Sequence, residues 1–109
     1  MSYVKWSYDT LREFSQDAYV RFGFSKEESK TITDVLLLSD LYGIESHGMQ
    51  RMVRYHMGIK KGMIDVSAKP EVVFETPLSA VIDGRDGMGQ LVGRRSMELA
   101  IKKAKESGV

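Results

Sequence analysis

Cysteine is absent from the 109 residues, and this excludes disulfide staples, thiolate-zinc sites and a cysteine nucleophile together. Long apolar runs are missing too: none approaches the ~20 residues a membrane-spanning helix needs, and the N-terminus lacks the apolar core of a signal peptide. An excess of one charge is also lacking. Sixteen basic against fifteen acidic residues leave a net charge of +1, too balanced for the electrostatic footprint of a nucleic-acid or membrane-surface protein. The expectation is a cytoplasmic protein with no nucleic-acid and no membrane partner. Histidine occurs twice, with no His-Glu-x-x-His pattern, so no metal site is expected. Repeats, low-complexity stretches and a clear linker are absent as well.

What is present is ordinary globular material, 42% hydrophobic and 28% charged, enough for one small domain that buries roughly two thirds of its unfolded surface. The seven methionines read as plastic core filler. Leu11, Phe14, Ala18 and Phe22 recur at helical spacing and predict a helix over 8–22, stopped by Gly23. Ser25 with Glu28 is a capping box opening a second helix. Ile32, Val35 and Leu36 form one face of it and Leu37, Leu38 and Leu41 another, so it is expected to be buried on two sides. That helix ends near Gly43, and Ser46 is placed to cap a third, from about His47 to Gly62.

On that third helix His47, Arg51, Arg54 and Tyr55 share one arc, while Met49, Met52, Val53, His56, Ile59 and Met63 lie opposite. His56 therefore reads as a core or interface histidine and His47 as a ligand-competent one. Beyond Gly62, residues 71–76 and 79–83 read as two short strands, separated by Pro77 and bounded by Pro70 and the Asp83-Gly84 turn. A last helix runs from about Gly89 to Ser107, with Gly93, Met97, Ala100, Ile101 and Ala104 inward and a charged outer arc. Gly108 stops it, and Val109 would begin a further strand. Two strands make a marginal sheet, so the chain is expected to be an N-terminal fragment, or a piece that needs a partner chain.

Two stretches invite chemistry. A helix starting at His47 would offer unpaired N–H groups and its dipole to a carboxylate near residues 47–49. Gly48 would allow close approach, and Arg51 would clamp the same carboxylate one turn later. His47 would then stand beside the next atom of the acid. If that atom is a carbonyl carbon, its imidazolium can protonate the oxygen as hydride arrives, and in reverse the neutral ring can take the alcohol proton. The second stretch, Gly84 to Gly93, lies where a dinucleotide fingerprint would, but Val92 stands where the third glycine belongs. Left-handed glycines in a turn explain it better.

The segments Gly43-Ile-Glu-Ser46-His47-Gly48, Arg51, Tyr55, Ile59-Lys-Lys-Gly62, Val81-Ile-Asp83-Gly84, Gly89-Gln90 and Ala100 to Val109 resemble the type 2 malate/L-lactate dehydrogenase family, which includes ureidoglycolate dehydrogenase and diketogulonate reductase. Tyr42 stands where arginine is common in that family, and Glu45 where aspartate is common. The resemblance implies a homodimeric enzyme transferring hydride between NAD or NADP and a small 2-oxo or 2-hydroxy acid. It puts the proton-donating histidine on His47 and substrate contacts on Ser46, Arg51 and Tyr55, and it leaves the nicotinamide contacts beyond Val109. The fold class implied is α+β: three N-terminal helices, two strands and a further helix, part of a larger non-Rossmann oxidoreductase. Residues 1–64 would form its helical substrate side and 65–109 the start of its nucleotide-binding core. The competing reading is a free-standing helical dimerisation or binding module without catalytic activity, with Met49, Met52, His56, Ile59 and Met63 facing a partner.

Overall fold

Ser7 starts the first helix by accepting the Thr10 N–H on its hydroxyl at 3.1 Å, a cap that satisfies one of the orphan donors of the first turn. The structure, a computed structural model, describes residues 2–109. Helix α1 spans Tyr8–Phe22 and stops at Gly23, whose φ of 118° is left-handed. Helix α2 spans Lys26–Leu41 and opens on the expected capping box, with Glu28 N donating to Ser25 Oγ and Ser25 N to Glu28 Oε1. Two 3-10 turns, Glu45–His47 and Met49–Arg51, lead into α3, Met52–Lys60. Strands β1, Glu71–Glu75, and β2, Ala80–Asp83, then form an antiparallel hairpin, and α4 runs over Gly89–Ser107. The chain is mixed α+β, with the order of elements the sequence predicts.

Tyr19, Phe24, Ile32, Leu36 and Met88 form the buried centre, with Met52, Tyr55 and Ile59 of α3 packed against it. The predicted face of α1 is rotated, because Phe14 is 60% exposed whereas Ser15 and Tyr19 are fully buried. The reason is steric. Ser15, Ser29 and Thr33 are buried, and the Thr33 hydroxyl donates to Ser15 Oγ at 3.1 Å. These small side chains let α1 and α2 approach closely, with the Ser15–Thr33 pair satisfied internally. On α2, Ile32, Leu36 and Leu37 are buried while Val35, Leu38 and Leu41 are exposed, so the expected two-sided burial does not occur within this chain.

The inner face predicted for α4 is also corrected. Met97 and Ile101 are exposed and Lys103 is buried. Its ammonium donates to Thr76 O at 2.6 Å and lies 2.7 Å from Glu75 Oε1, so the hairpin turn pairs the charge while the aliphatic stem packs underneath. Ser96 and Leu99 share that crevice with Ala80 and Ile82. Hydrophobic periodicity treats lysine as an outward residue and misses this rotation. In β1 a bulge between Val72 and Phe74 leaves Val73 without a partner in the register.

After β2, the left-handed positions expected of glycines fall instead on Arg85 (φ 53°) and Asp86 (φ 59°). Asp83 Oδ1 accepts the Arg85 N–H at 2.9 Å and the Arg85 guanidinium pairs with Glu71, which hold that conformation. Gly87 serves close packing, since a Cβ there would lie 3.0 Å from Gly84 O and 3.3 Å from the Ala68 methyl.

Lys103 donates a hydrogen bond to Glu75 and places a positive charge beside it, and both hold the carboxyl below its usual range. A carboxylate depressed in the folded state adds stability above its unfolded pKa of ~4.3, and that stability is lost as pH falls through the folded value. Glu75→Gln is therefore expected to lower the urea midpoint at neutral pH, with the gap to wild type closing as the pH is taken down through the acid range. A gap that stays constant with pH would contradict the ion pair.

Candidate active site

Helix α2 ends at Leu41, and Gly43, with φ 76°, turns the chain. The predicted third helix forms but starts later than His47, and Ser46 does not cap it. Ser46 lies inside the first 3-10 turn and makes no capping bond, and α3 begins only at Met52. The carboxylate of Asp40, from the last turn of α2, takes over as cap, with Oδ2 accepting the Met49 N–H at 2.9 Å. A Cβ on Gly48 would fall 1.8 Å from Asp40 Oδ1. Glycine lets the carboxylate sit where a side chain would otherwise stand, so any larger residue must push Asp40 off the Met49 N–H.

The expected carboxylate site on the N–H groups of residues 47–49 is absent for the same reason. His47 N donates to Ile44 O and Gly48 N to Glu45 O, both at 3.1 Å, and Met49 N is held by Asp40. What the turn does assemble is a set of side chains. Ser46 Oγ is 2.9 Å from His47 Nδ1, and Arg51 Nε donates to Ser46 O at 2.5 Å. Ser46 and His47 are exposed and Arg51 is half-buried. The serine hydroxyl can accept from Nδ1–H of the imidazolium and of the neutral Nδ1–H tautomer alike, which leaves Nε2 free to face a ligand as donor or acceptor. Arg51 is tethered through Nε, which leaves its Nη groups to meet a carboxylate.

Tyr55 is placed elsewhere. Its hydroxyl accepts from Gln90 Nε2 at 3.3 Å, and it lines a cavity of about 620 Å³ together with Thr31, Asp34, Met88, Gln90 and Arg94. Ser46, His47 and Arg51 do not line that cavity. The structure thus ties three of the four predicted residues together by hydrogen bonds, while Tyr55 bonds Gln90 instead and lines a cavity that they do not. His56 stacks on Phe22 with ring centroids 4.4 Å apart, the packing role expected of it. Of the methionine stripe, Met52 and Ile59 pack against the core while Met63 is exposed. Among the described residues no three His, Cys, Asp or Glu side chains converge on a metal-sized site.

Sequence reasoning gave no role to Asp40 or Gln90. Asp40 carries a signal: a carboxylate in the last turn of a helix opposes the dipole, and the last turn of α2 holds no basic residue to offset it. That misplacement calls for a donor outside the helix. Gln90 carries no periodic or capping signal, because its partner lies 35 residues away.

Comparison with known proteins gives the family. Residues 6–109 match the malate/L-lactate dehydrogenase family, and the chain belongs to that family. Malate dehydrogenase from Pyrococcus horikoshii is 44% identical over 108 residues, covering 99% of this chain and 30% of that protein. L-sulfolactate dehydrogenase from Methanocaldococcus jannaschii is 45% identical over 93 residues, covering 85% of this chain and 27% of that one. The NAD(+)-dependent ureidoglycolate dehydrogenase of Escherichia coli K12 is 33% identical over 108 residues, with 97% and 30% covered. A solved structure of malate dehydrogenase from Pyrococcus horikoshii OT3 superposes with a TM-score of 0.94 at 44% identity, over 97% of this chain and 30% of that one. The chain therefore spans about 30% of the length of the first of these relatives.

Gly48→Ala is expected to displace the Asp40 carboxylate and to cost about 1–3 kcal/mol, the range for a buried polar group losing its partner. In an Asp40→Ala background the same substitution is expected to cost much less, because the clashing atoms are gone. Urea unfolding of the four variants checks this, and equal costs in both backgrounds would show that the close approach is not the constraint.

Proposed function

We propose that this chain is the N-terminal, substrate-side part of an NAD- or NADP-dependent oxidoreductase that interconverts small 2-oxo and 2-hydroxy acids of the malate/lactate type. The observation that carries the reading is the tethered turn: Ser46 Oγ at 2.9 Å from His47 Nδ1 and Arg51 Nε bonded to Ser46 O. It holds a proton donor and a carboxylate-binding cation on one short segment of a chain whose family is one of dehydrogenases.

The chemistry comes from those groups. Arg51 Nη atoms bind the substrate carboxylate in charge-assisted hydrogen bonds. His47 Nε2 gives its proton to the 2-oxo oxygen during reduction and takes the hydroxyl proton during oxidation, and Ser46 Oγ accepts from Nδ1–H in both states, which keeps the exchanging proton on Nε2. The nicotinamide supplies or receives the hydride. Cofactor contacts are assigned to no residue of this chain, which the reading divides into a substrate side over residues 1–64 and the start of the nucleotide-binding core over 65–109.

Val35, Leu38, Leu41, Tyr42 and Ile44 are exposed around the end of α2. Apolar surface of this extent calls for a cover, and the reading supplies one in the rest of a cytoplasmic enzyme and a second subunit of a homodimer.

His47→Gln in the full-length enzyme is expected to lower kcat for a 2-oxo acid by about 10²–10⁴-fold, the range for loss of a general acid, with NAD(P)H binding by fluorescence titration little changed. Near-normal turnover in a folded variant would remove His47 from the role.

A further inference from the structure

Two 3-10 turns meet at Gly48, Glu45–His47 on one side and Met49–Arg51 on the other. The first carries the imidazole and the second the guanidinium. Each turn keeps its own shape through a backbone bond, Gly48 N to Glu45 O in the first and Arg51 N to Gly48 O in the second, both at 3.1 Å. Those bonds do not set how one turn lies against the other, because Gly48 is the joint. The Asp40 carboxylate is wedged at that joint. Its Oδ2 accepts the Met49 N–H at 2.9 Å, and its Oδ1 fills the place of a Gly48 side chain. The wedge stands on α2, where Leu36 and Leu37 are buried one turn earlier. Two other bonds cross the joint, from the Gln50 and Arg51 side chains to the Glu45 and Ser46 carbonyls, but long side chains swing with the turn that carries them.

We propose that Asp40 is a positioning residue: by wedging the joint at Gly48 it sets His47 at the distance from Arg51 that a 2-oxo acid requires. The inference rests on the proposed function and adds what holds its two groups in register. In a 2-oxo acid the carboxylate carbon is bonded directly to the carbonyl carbon. The substrate therefore offers no slack between the group that Arg51 holds and the oxygen that His47 protonates. Asp40 acts here through its acceptor oxygen and its bulk. Asp40→Asn keeps both and removes the charge, so it separates positioning from an electrostatic role.

The test uses full-length protein carrying Asp40→Asn, Asp40→Ala, Gly48→Ala, or Asp40→Ala with His47→Gln, assayed where circular dichroism shows each variant folded. Asp40→Ala is expected to lower kcat for the 2-oxo acid about 10–100-fold, the cost of a small misplacement of a reacting group. KM is expected to change within about threefold, because Met52, packed on the core beside it, still holds Arg51. Gly48→Ala, which pushes the carboxylate away from the other side, is expected to show the same loss and carries the test if Asp40→Ala does not fold. Asp40→Asn is expected to stay within about threefold of wild type, and so is the further cost of Asp40→Ala in the His47→Gln background, since Asp40 acts through His47. Wild-type kcat in folded Asp40→Ala or Gly48→Ala, an Asp40→Asn variant as slow as Asp40→Ala, or multiplicative losses with His47→Gln would each overturn the proposal. A second readout does not depend on turnover. With histidine labelled at ¹³Cε1, the His47 resonance, identified by its loss in His47→Gln, is expected to differ between Asp40→Asn and Asp40→Ala, two variants of equal charge. An unmoved resonance also overturns the proposal. A folded wild type that oxidises no NAD(P)H with any 2-oxo acid, yet shows the moved resonance, would refute the acid reading and leave the Asp40 control of His47 standing.

Discussion

The carboxylate of Asp40 on the Met49 N–H ties the end of α2 to the turn that leads into α3. A negative group in the last turn of α2 faces the negative end of that helix's dipole, a position that is unfavourable alone. It becomes favourable because the next segment brings an unpaired N–H back to it. Gly48 is the geometric condition for that return, since the carboxylate fills the place of a side chain. Gly43 turns the chain after α2, and the Asp40 bond together with the missing Cβ of Gly48 fixes where the turn comes back.

From that junction the roles of the neighbouring residues divide. Residues before Gly48 are turned outward, so Ser46 and His47 are exposed, while residues after Met49 are carried back over the core. Met52 and Ile59 pack against the core cluster there, His56 lies flat on Phe22, and Tyr55 reaches the cavity beside α4. Arg51 bridges the two regimes. It is half-buried at the start of α3, yet its Nε is tied to the carbonyl of Ser46. A helix running straight from His47 would have put His47 in its first turn instead, with its N–H groups exposed to solvent rather than closed by the 3-10 turns.

Much of the fold is legible in local grammar. The capping box at Ser25 and Glu28, the stop at Gly23 and the hairpin around Pro77 are decided by residues a few positions apart, and the structure has them all. What periodicity misses involves partners from elsewhere in the chain. Ser15 and Thr33 form a small polar contact between helices, and Lys103 is neutralised by a hairpin turn 27 residues away. Both look like surface residues in a window of one helix. The candidate site divides in the same way. Ser46, His47 and Arg51 are neighbours in sequence and in space, whereas Gln90, which meets Tyr55 across two elements, leaves no local trace.

The exposure of the Ser46–His47 turn bears on how its groups can work. In water, a cation and a carboxylate at contact distance gain only about 1 kcal/mol, and several times that where the effective dielectric is lower. Arg51 and His47 at an open surface are therefore weak as a binding site. Leu41, Tyr42 and Ile44 lead directly into the turn and are exposed apolar side chains. A body that covered them would also reach the turn, exclude water from it and strengthen the same charge-assisted bonds without moving any residue of the turn. The local geometry of the turn is set within this chain, and its strength depends on what lies over that apolar rim.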